Sequence, residues 1–545
     1  MTMSEQKDNF PFHQWVPRPI GIIILLLMFV PPTFSGGAYL SNIGEMSGSL
    51  GVWTEDAQMA SFFTSIGMCL FPPFMVRFLQ ARRVKQTYLR CFFLLAMLNW
   101  VCASATSRPI LFGACLLTGF VRIMVMLNCT FTIAPYLTGM DTLSMFTMTE
   151  EPSAAIQYQL ERKRTFLMPV LYFVILVISQ MSNVMTAWFA YHYHWQDAYY
   201  AVVAILFVAM LLVVLTMTDE KAKGYRMEWR KLPGMLIMAV ALCCMTFILV
   251  YGKTLDWFDD DALVCALAVL LLSCGAFLLN AASEGENGYL PLKVFSYRNV
   301  GMSMLLFLLT IIFNSASGFF SAFAKLSTPA GNWQSASLSL WSAGGCLLGL
   351  LISLLLIARK ARFRTIFCVA FILMAAANAY FYFQYQTAGL FENTFLPTIL
   401  NFAGLLILYS VVAAWGMKRL PSRYLATYVF LMIWMRNGIA PVVGSALYSN
   451  VLYHEQQSNT VRLSQEVDSE NPLAAATFMQ TKRMGMYKGK GAMEAEQLAT
   501  TSLKGRVAMQ SAILSMKNIT GNTVILLLVA AVMVLILPYH KEETT

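Results

Sequence analysis

Long apolar runs alternate with short polar turns from one end of the chain to the other. A helix needs about 20 apolar residues to cross the hydrocarbon core of a bilayer, and about fourteen stretches meet that length. They lie at 19–40, 57–78, 87–106, 109–134, 165–190, 198–217, 232–251, 262–282, 300–324, 335–358, 365–385, 395–417, 424–447 and 519–538. Pro31, Pro32, Pro72, Pro73 and Pro441 fall inside them. Membrane helices tolerate proline because neighbouring helices satisfy the freed backbone groups. The pattern predicts an all-α integral membrane protein. The first stretch exceeds a signal-peptide core and no small-residue cleavage pattern follows it, so it reads as the first membrane helix.

The turns carry the orientation. Positive charge is retained on the cytoplasmic side of short loops, and here the basic turns alternate with neutral or acidic ones. Arg77, Arg82, Arg83 and Lys85 follow the second helix, Arg162, Lys163 and Arg164 precede the fifth, and Lys221, Lys223, Arg226, Arg230 and Lys231 follow the sixth. Lys293 and Arg298 follow the eighth helix, Arg359, Lys360, Arg362 and Arg364 the tenth, and Lys418, Arg419 and Arg423 the twelfth. The opposite turns hold Glu45, Glu55, Asp56, Asp256 and Asp259 to Asp261. This predicts a bacterial inner (cytoplasmic) membrane protein with both termini cytoplasmic.

Composition agrees: 58% of the 545 residues are hydrophobic and 12% charged. The net charge of +10 is accounted for by the basic turns, so no nucleic-acid partner is expected. All eleven cysteines lie between Cys69 and Cys368 in apolar segments without CxxC spacing, and read as small hydrophobes. The five histidines, His13, His192, His194, His454 and His540, sit at or outside helix ends. With no HExxH, no carboxylate cluster and no phosphate-cradling glycine loop, the expectation is no metal, no cofactor and no enzyme activity.

Two regions break the rhythm of short turns: a polar insertion at 138–164 containing Glu150, Glu151 and Glu161, and a polar stretch at 449–518 with helix-forming segments near 471–484 and 492–516. Ala81-Arg82-Arg83 after the second helix is echoed by Ala358-Arg359-Lys360-Ala361-Arg362 after the tenth. If the seventh and eighth helices are an inserted pair, those turns occupy equivalent places in two six-helix halves. The expected organisation is a cytoplasmic N-terminal segment at 1–18, a six-helix half at 19–217 with the 138–164 insertion, an inserted pair at 232–282, and a second half at 300–540 with an outside loop at 449–518.

Between the seventh and eighth helices the chain reads Gly252-Lys253-Thr254-Leu255-Asp256-Trp257-Phe258, and before the ninth Leu290-Pro291-Leu292-Lys293-Val294-Phe295-Ser296-Tyr297-Arg298-Asn299. Together with Gly48-Ser49-Leu50-Gly51-Val52 before Gln58, His194-Trp195 before the sixth helix, and Phe430 with Arg436 in the thirteenth, this resembles the fourteen-helix drug:proton antiporter branch of the major facilitator superfamily, the EmrB/QacA-like transporters. The resemblance implies the major facilitator fold, with substrate held near the midplane between two halves. It also implies Arg122 in the fourth helix at the position of the family's proton-linked arginine, and Arg436 as a family arginine.

The chain departs from that pattern. The family's helix-one acid falls near Ser35, the cytoplasmic motif reads Pro73-Phe74-Met75-Val76-Arg77-Phe78-Leu79-Gln80-Ala81-Arg82-Arg83 without its glycines, and the helix-five antiporter motif reads Ser182-Asn183-Val184-Met185-Thr186-Ala187. The direction of transport stays open. Ionisable groups within membrane helices are costly and therefore functional candidates, which selects Arg122, Arg436 and Glu45 for coupling to protons. Arg77, Arg82 and Arg83 form a candidate cytoplasmic gating loop. Asn128, Gln180, Asn183, Asn314 and Asn401 could hydrogen-bond a substrate or join helices.

The expected function is a proton-motive-force-driven secondary transporter that exports drugs or other amphipathic or cationic small molecules. The alternatives are an importer or facilitator of a specific metabolite and a non-transporting membrane scaffold. The expected partners are the small-molecule substrate, protons and the lipid bilayer. The 449–518 stretch is a candidate docking surface for a periplasmic adaptor and, through it, the outer-membrane channel of a tripartite pump.

Overall fold

The computed structural model describes residues 10–138, 154–219, 228–327, 332–386, 389–467 and 470–536. Most of the 138–164 insertion, with Glu150 and Glu151, lies outside the described residues, as do Lys221, Lys223, Arg226, His540 and both chain ends. Among the described residues the structure is helical, apart from one isolated bridge between Phe12 and Met217. Among the described residues thirteen helices are long and apolar enough to cross a membrane, and a shorter apolar helix covers Arg18–Phe34.

The first half contains α1 (Arg18–Leu27), α2 (Val30–Phe34), α3 (Ile43–Leu50), α4 (Thr54–Leu70), α5 (Met75–Ala81), α6 (Val84–Ser104), α7 (Arg108–Thr138), α8 (Ala154–His192) and α9 (Asp197–Thr216). At the place of the expected inserted pair are α10 (Leu232–Tyr251) and α11 (Asp261–Glu284). The second half begins with α12 (Arg298–Ser315), α13 (Gly318–Ser327), α14 (Asn332–Ala358), α15 (Phe363–Tyr382), α16 (Phe395–Gly416) and α17 (Ser422–Ile433). A π-helical turn at Trp434–Ile439 leads into α18 (Ala440–Gln465), α19 (Pro472–Tyr487) and α20 (Ala492–Ile536).

The first predicted span, 19–40, is not one continuous helix. Pro31 and Pro32 lack the N–H groups that would bond back into α1, and the chain leaves helix geometry at Ser35. Gly37 has φ +71°, and a Cβ there would stand 2.3 Å from Thr64 Oγ1. The unwound stretch is buried: Tyr39 donates from its hydroxyl to the Phe34 carbonyl at 2.6 Å, and Tyr199 donates to the Gly37 carbonyl at 2.5 Å.

Glycines set the closest helix crossings. A Cβ on Gly67 of α4 would lie 2.0 Å from the Leu116 carbonyl oxygen of α7, and one on Gly119 of α7 would lie 1.9 Å from the Thr64 oxygen. The second half repeats this arrangement: Cβ atoms on Gly345 and Gly349 of α14 would meet the Ile399 and Ala403 oxygens of α16 at 2.4 and 2.6 Å. In each half, the helix before the basic turn packs through small residues on the helix two spans later, as close backbone approach in a membrane requires.

The halves meet along two seams, α8 against α14 and α16, and α4 against the π-helical turn. The inserted helix α10 packs on α4 and α18, across the second seam. Its far end explains the Gly252–Phe258 motif. Asp256 and Trp257 take positive φ, the Trp257 N–H closes on the Gly252 carbonyl at 2.7 Å, and a Cβ at Gly252 would meet the Trp257 ring at 2.9 Å.

The 449–518 stretch, expected as a loop with helical segments, is helical through most of its length. α18 and α20 continue straight out of their apolar portions, joined by Asn459 Nδ2 to Ser515 Oγ at 2.8 Å and Ser511 Oγ to the Gln456 carbonyl at 2.8 Å. α19 folds against α20 where Gly485 faces Ala495 and Lys482 pairs with Glu496 at 2.8 Å.

Candidate functional site

Between the halves lies a cavity of about 160 Å³, lined from α7 by Met126 and Leu127, from α8 by Arg164, Met168 and Tyr172, and from the thirteenth span by Met432 and Arg436. That is smaller than the roughly 300–1,000 Å³ of drug-sized sites, so it must widen to take such a ligand. A more open depression of about 560 Å³ lies around Tyr382, Glu455 and Asn518, but those residues all belong to the second half. A site that alternates in access would touch both halves, and of these two cavities the first does.

Arg436 owes its position to the π-helical turn. Pro441 has no N–H to offer the carbonyl of Asn437, so the α-helical ladder is interrupted there, and the chain widens into the Trp434–Ile439 turn. Such turns concentrate at functional sites. The Arg436 guanidinium lies 5.3 Å from the Tyr172 ring centroid of the first half and 5.9 Å from the Tyr409 ring of the second. Tyr172 and Tyr409 are themselves in edge contact at 6.1 Å. The electron-rich ring faces attract the guanidinium charge and hold it between the halves. Its Nε donates to Asn437 Oδ1 at 3.4 Å, and no carboxylate pairs with it among the described residues.

Arg122 on α7 feels the charge of Arg436 and faces Tyr39 of the unwound segment. Its Nε is buried without an acceptor among the described residues, as are Trp434 Nε1 and Asn437 Nδ2 of the π-helical turn. The structure thus brings Arg122 and Arg436 into one electrostatic neighbourhood. Glu45 lies half-buried on the short helix α3.

The amide candidates divide. Asn401 Nδ2 donates to Asn314 Oδ1 at 2.9 Å, joining α12 to α16 inside the second half. Asn128 accepts from Arg82 Nη1 at 2.5 Å on its side-chain oxygen and at 3.1 Å on its carbonyl, so it fixes the basic turn rather than lining the cavity. Gln180 and Asn183 lie farther along α8, half-buried and exposed respectively, and neither lines the cavity. Among the basic-turn residues, Arg77 pairs with Glu228 at 2.5 Å, and Arg83 donates to Gln86 at 3.0 Å.

Sequence reading passed over Asp56, treating it as an acidic turn residue. It is 3% exposed, with Oδ2 3.2 Å from Arg108 Nε and Oδ1 accepting from the Tyr251 hydroxyl at 2.5 Å. These bonds tie α4 to α7 and to the inserted α10. At the other end of α4, Lys231 Nζ donates to the Pro73 carbonyl at 3.0 Å and the Tyr289 hydroxyl to the Leu70 carbonyl at 3.2 Å. Tyr172 and Tyr409 were also unflagged, since nothing in their local sequence announces that they face each other. Among the described residues, no group of three or more His, Cys, Asp or Glu could hold a metal ion.

No family model matches the chain. It is 19% identical over 328 residues to the multidrug export protein EmrB of Escherichia coli (strain K12), covering 59% of this chain and 63% of that protein. The match therefore spans less than two thirds of that relative's length. EmrB of Haemophilus influenzae is 18% identical over 400 residues, covering 70% of this chain and 78% of its own length. Among solved structures, the fold is similar to a peptide transporter POT in complex with sulfate, with a TM-score of 0.53, 12% identity and coverage of 98% and 99%. It is also similar to a point mutant of the nucleoside transporter NupG, with a TM-score of 0.51, 12% identity and coverage of 94% and 98%. These relatives and fold neighbours are transporters rather than enzymes. The chain is weakly similar in sequence to the EmrB export proteins, and it is a multi-pass membrane protein with the major facilitator fold.

Proposed function

We propose that the chain is a secondary transporter of the bacterial inner membrane that exports amphipathic small molecules by alternating access. The observation that carries this reading is the cavity at the seam, where Arg436 of one half rests on Tyr172 of the other. Rocking the halves would remake the contacts around it. Its apolar lining accommodates varied hydrophobic bodies because methionine side chains adapt to irregular shapes, and the cavity takes in Met126, Met168, Met417 and Met432. The similarity to EmrB export proteins supports the outward direction.

The basic turns carrying Arg77, Arg82 and Arg83 face the cytoplasm in this reading, both termini are cytoplasmic, and the proton-motive force supplies the energy. A guanidinium stays protonated at physiological pH. As fixed charges, Arg122 and Arg436 would respond to the electrical part of that force or tune a neighbouring group. The helical extension of α18 to α20 would stand in the periplasm, where an adaptor of an envelope-spanning pump could meet it. Import of a metabolite is the second reading, favoured by the altered helix-five motif Ser182–Ala187.

The test is uptake of a panel of amphipathic fluorophores into energised inside-out vesicles that carry the protein. Saturable uptake above that of empty vesicles, abolished by an uncoupler, is expected. Uptake equal to that of empty vesicles for the whole panel would contradict the exporter reading.

A further inference from the structure

The charges at the seam are unbalanced in one direction. Arg436 lines the cavity, Arg122 lies close enough to feel its charge, and neither has a carboxylate partner among the described residues. Arg164, also on the lining, is one turn from Glu161, whose Oε1 accepts from the Arg419 backbone N–H at 3.1 Å. Among the described residues no acidic side chain lines the cavity. Asp56 is committed to Arg108 and Tyr251.

Around Arg436 the unmet hydrogen-bonding atoms among the described residues have the same sign. Arg122 Nε, Trp434 Nε1 and Asn437 Nδ2 are buried polar atoms lacking partners, and all are donors. Buried donors are rarely left unmet; these three stand behind the cavity wall, next in sequence to the lining residues Ile123, Ile433 and Arg436, so an acceptor-rich ligand would reach them as the cavity widens. The Arg436 guanidinium, on the cavity wall beside two tyrosine rings, carries a planar fork that matches a carboxylate, sulfonate or phosphate head in two-point contact. The remainder of the wall is aliphatic, with Leu127, Leu171, Val429 and Ile433 among its residues.

From these observations we infer that the transported class is anionic amphiphiles: molecules with a carboxylate, sulfonate or phosphate head on an apolar body, whose head is read by Arg436. The inference rests on the reading of this cavity as the transport site, and it narrows the amphipathic class to its acidic members. A lipophilic cation at the same place would add a like charge to Arg436 and Arg122 and leave the donors unmet. An anion would neutralise the pair and satisfy them. Moving a net negative charge out of a cell with a negative interior is downhill electrically, so this substrate class also suits a cavity without a titrating carboxylate.

The experiment uses the purified full chain in proteoliposomes, with the potential clamped at zero by equal potassium and valinomycin. The probes share one fluorescent nitrobenzoxadiazole-dodecyl body and differ only in the head: sulfonate, carboxamide or trimethylammonium. Initial rates above protein-free liposomes are compared. The sulfonate is expected to move at least 10-fold faster than the ammonium. Arg436→Gln should collapse that ratio toward unity, with Arg436→Lys retaining part of it. An ammonium rate equal to or above the sulfonate rate overturns the anion inference and leaves transport itself intact. No movement of any probe overturns the transport reading together with this one. Should Arg436→Gln fail to elute as a single folded species, the wild-type ratio alone decides.

Discussion

The Arg436 guanidinium of the thirteenth span stacks 5.3 Å from the ring centroid of Tyr172 on α8, so a charge of the second half rests on an aromatic face of the first. The contact crosses the seam that the proposed alternating access would open, and it would tie the cavity's charge to the relative position of the halves.

Replacing Tyr172 should therefore affect transport more than folding. Tyr172→Leu keeps the apolar volume but removes the aromatic face, a contact worth about 0.5–2 kcal/mol. The expected outcome is a 3- to 30-fold lower initial rate of probe uptake with little change in melting temperature. Tyr172→Phe, which keeps the ring, should retain most of the rate. Equal rates for the Leu and Phe variants would remove the stacking role.

Much of this was legible in the sequence, and the boundary has physical causes. The spans follow from apolar length alone, and Arg122 and Arg436 stood out because a charge inside a membrane helix is costly. The break in the first span was written in Pro31-Pro32 and Gly36-Gly37, but apolar length masks it, since the unwound residues are themselves buried and non-charged. Tyr172 and Tyr409 became site residues only when α8 and α16 were placed side by side. Asp56 looked like a solvated turn residue because its partners, Arg108 and Tyr251, are contributed by distant spans.

The inserted pair is held to α4 through Asp56. Asp56→Ala leaves the Tyr251 hydroxyl without its acceptor and Arg108 without its partner, and an unmet buried polar group costs about 1–3 kcal/mol. A lower melting temperature is expected in detergent, with faster proteolysis in the Gly252–Phe258 turn. Asp56→Asn keeps an acceptor and should lose less. An unchanged melting temperature in Asp56→Ala would show that the clamp contributes nothing.

Helix contact through Gly67 and Gly119 leaves no room for a side chain. A methyl group on Gly67 would approach the Leu116 backbone oxygen at 2.0 Å, and neither helix backbone can yield without disturbing the half. Gly67→Val is expected to destabilise by about 3 kcal/mol or more, at or beyond the usual cost of overpacking. Gly44→Ala, where a Cβ meets nothing within 4 Å, should melt like the wild type. Comparing the two melting curves checks the prediction.

Acid should loosen the turn between the inserted pair and the second half. Lys293, bonded to Glu286 at 2.9 Å, holds the Glu286 carboxyl below the usual carboxylate range, helped by Arg423 at 3.7 Å and the Tyr424 hydroxyl at 3.3 Å. A lowered folded-state value gives stability that is present above the ordinary carboxylate pKa of about 4.3 and is lost as pH falls through the lowered value. The group is exposed, so the effect is small. Wild type should melt slightly above Glu286→Gln at pH 7, with the gap closing below about pH 4. A gap that persists in acid would assign the difference to something other than this carboxylate.

Alternating access itself can be tested where the halves touch on the far side of the cavity from the basic turns. Gln58 Nε2 of α4 donates to Ser445 Oγ of α18 at 3.0 Å. In proteoliposomes carrying Gln58→Cys with Ser445→Cys, probe flux is measured before and after a short, reducible thiol-to-thiol cross-linker, with each single cysteine variant as control. The account predicts that flux stops when the double variant is cross-linked and returns on reduction, while the single variants are unaffected. Undiminished flux through fully cross-linked protein would contradict transport by rocking of the two halves.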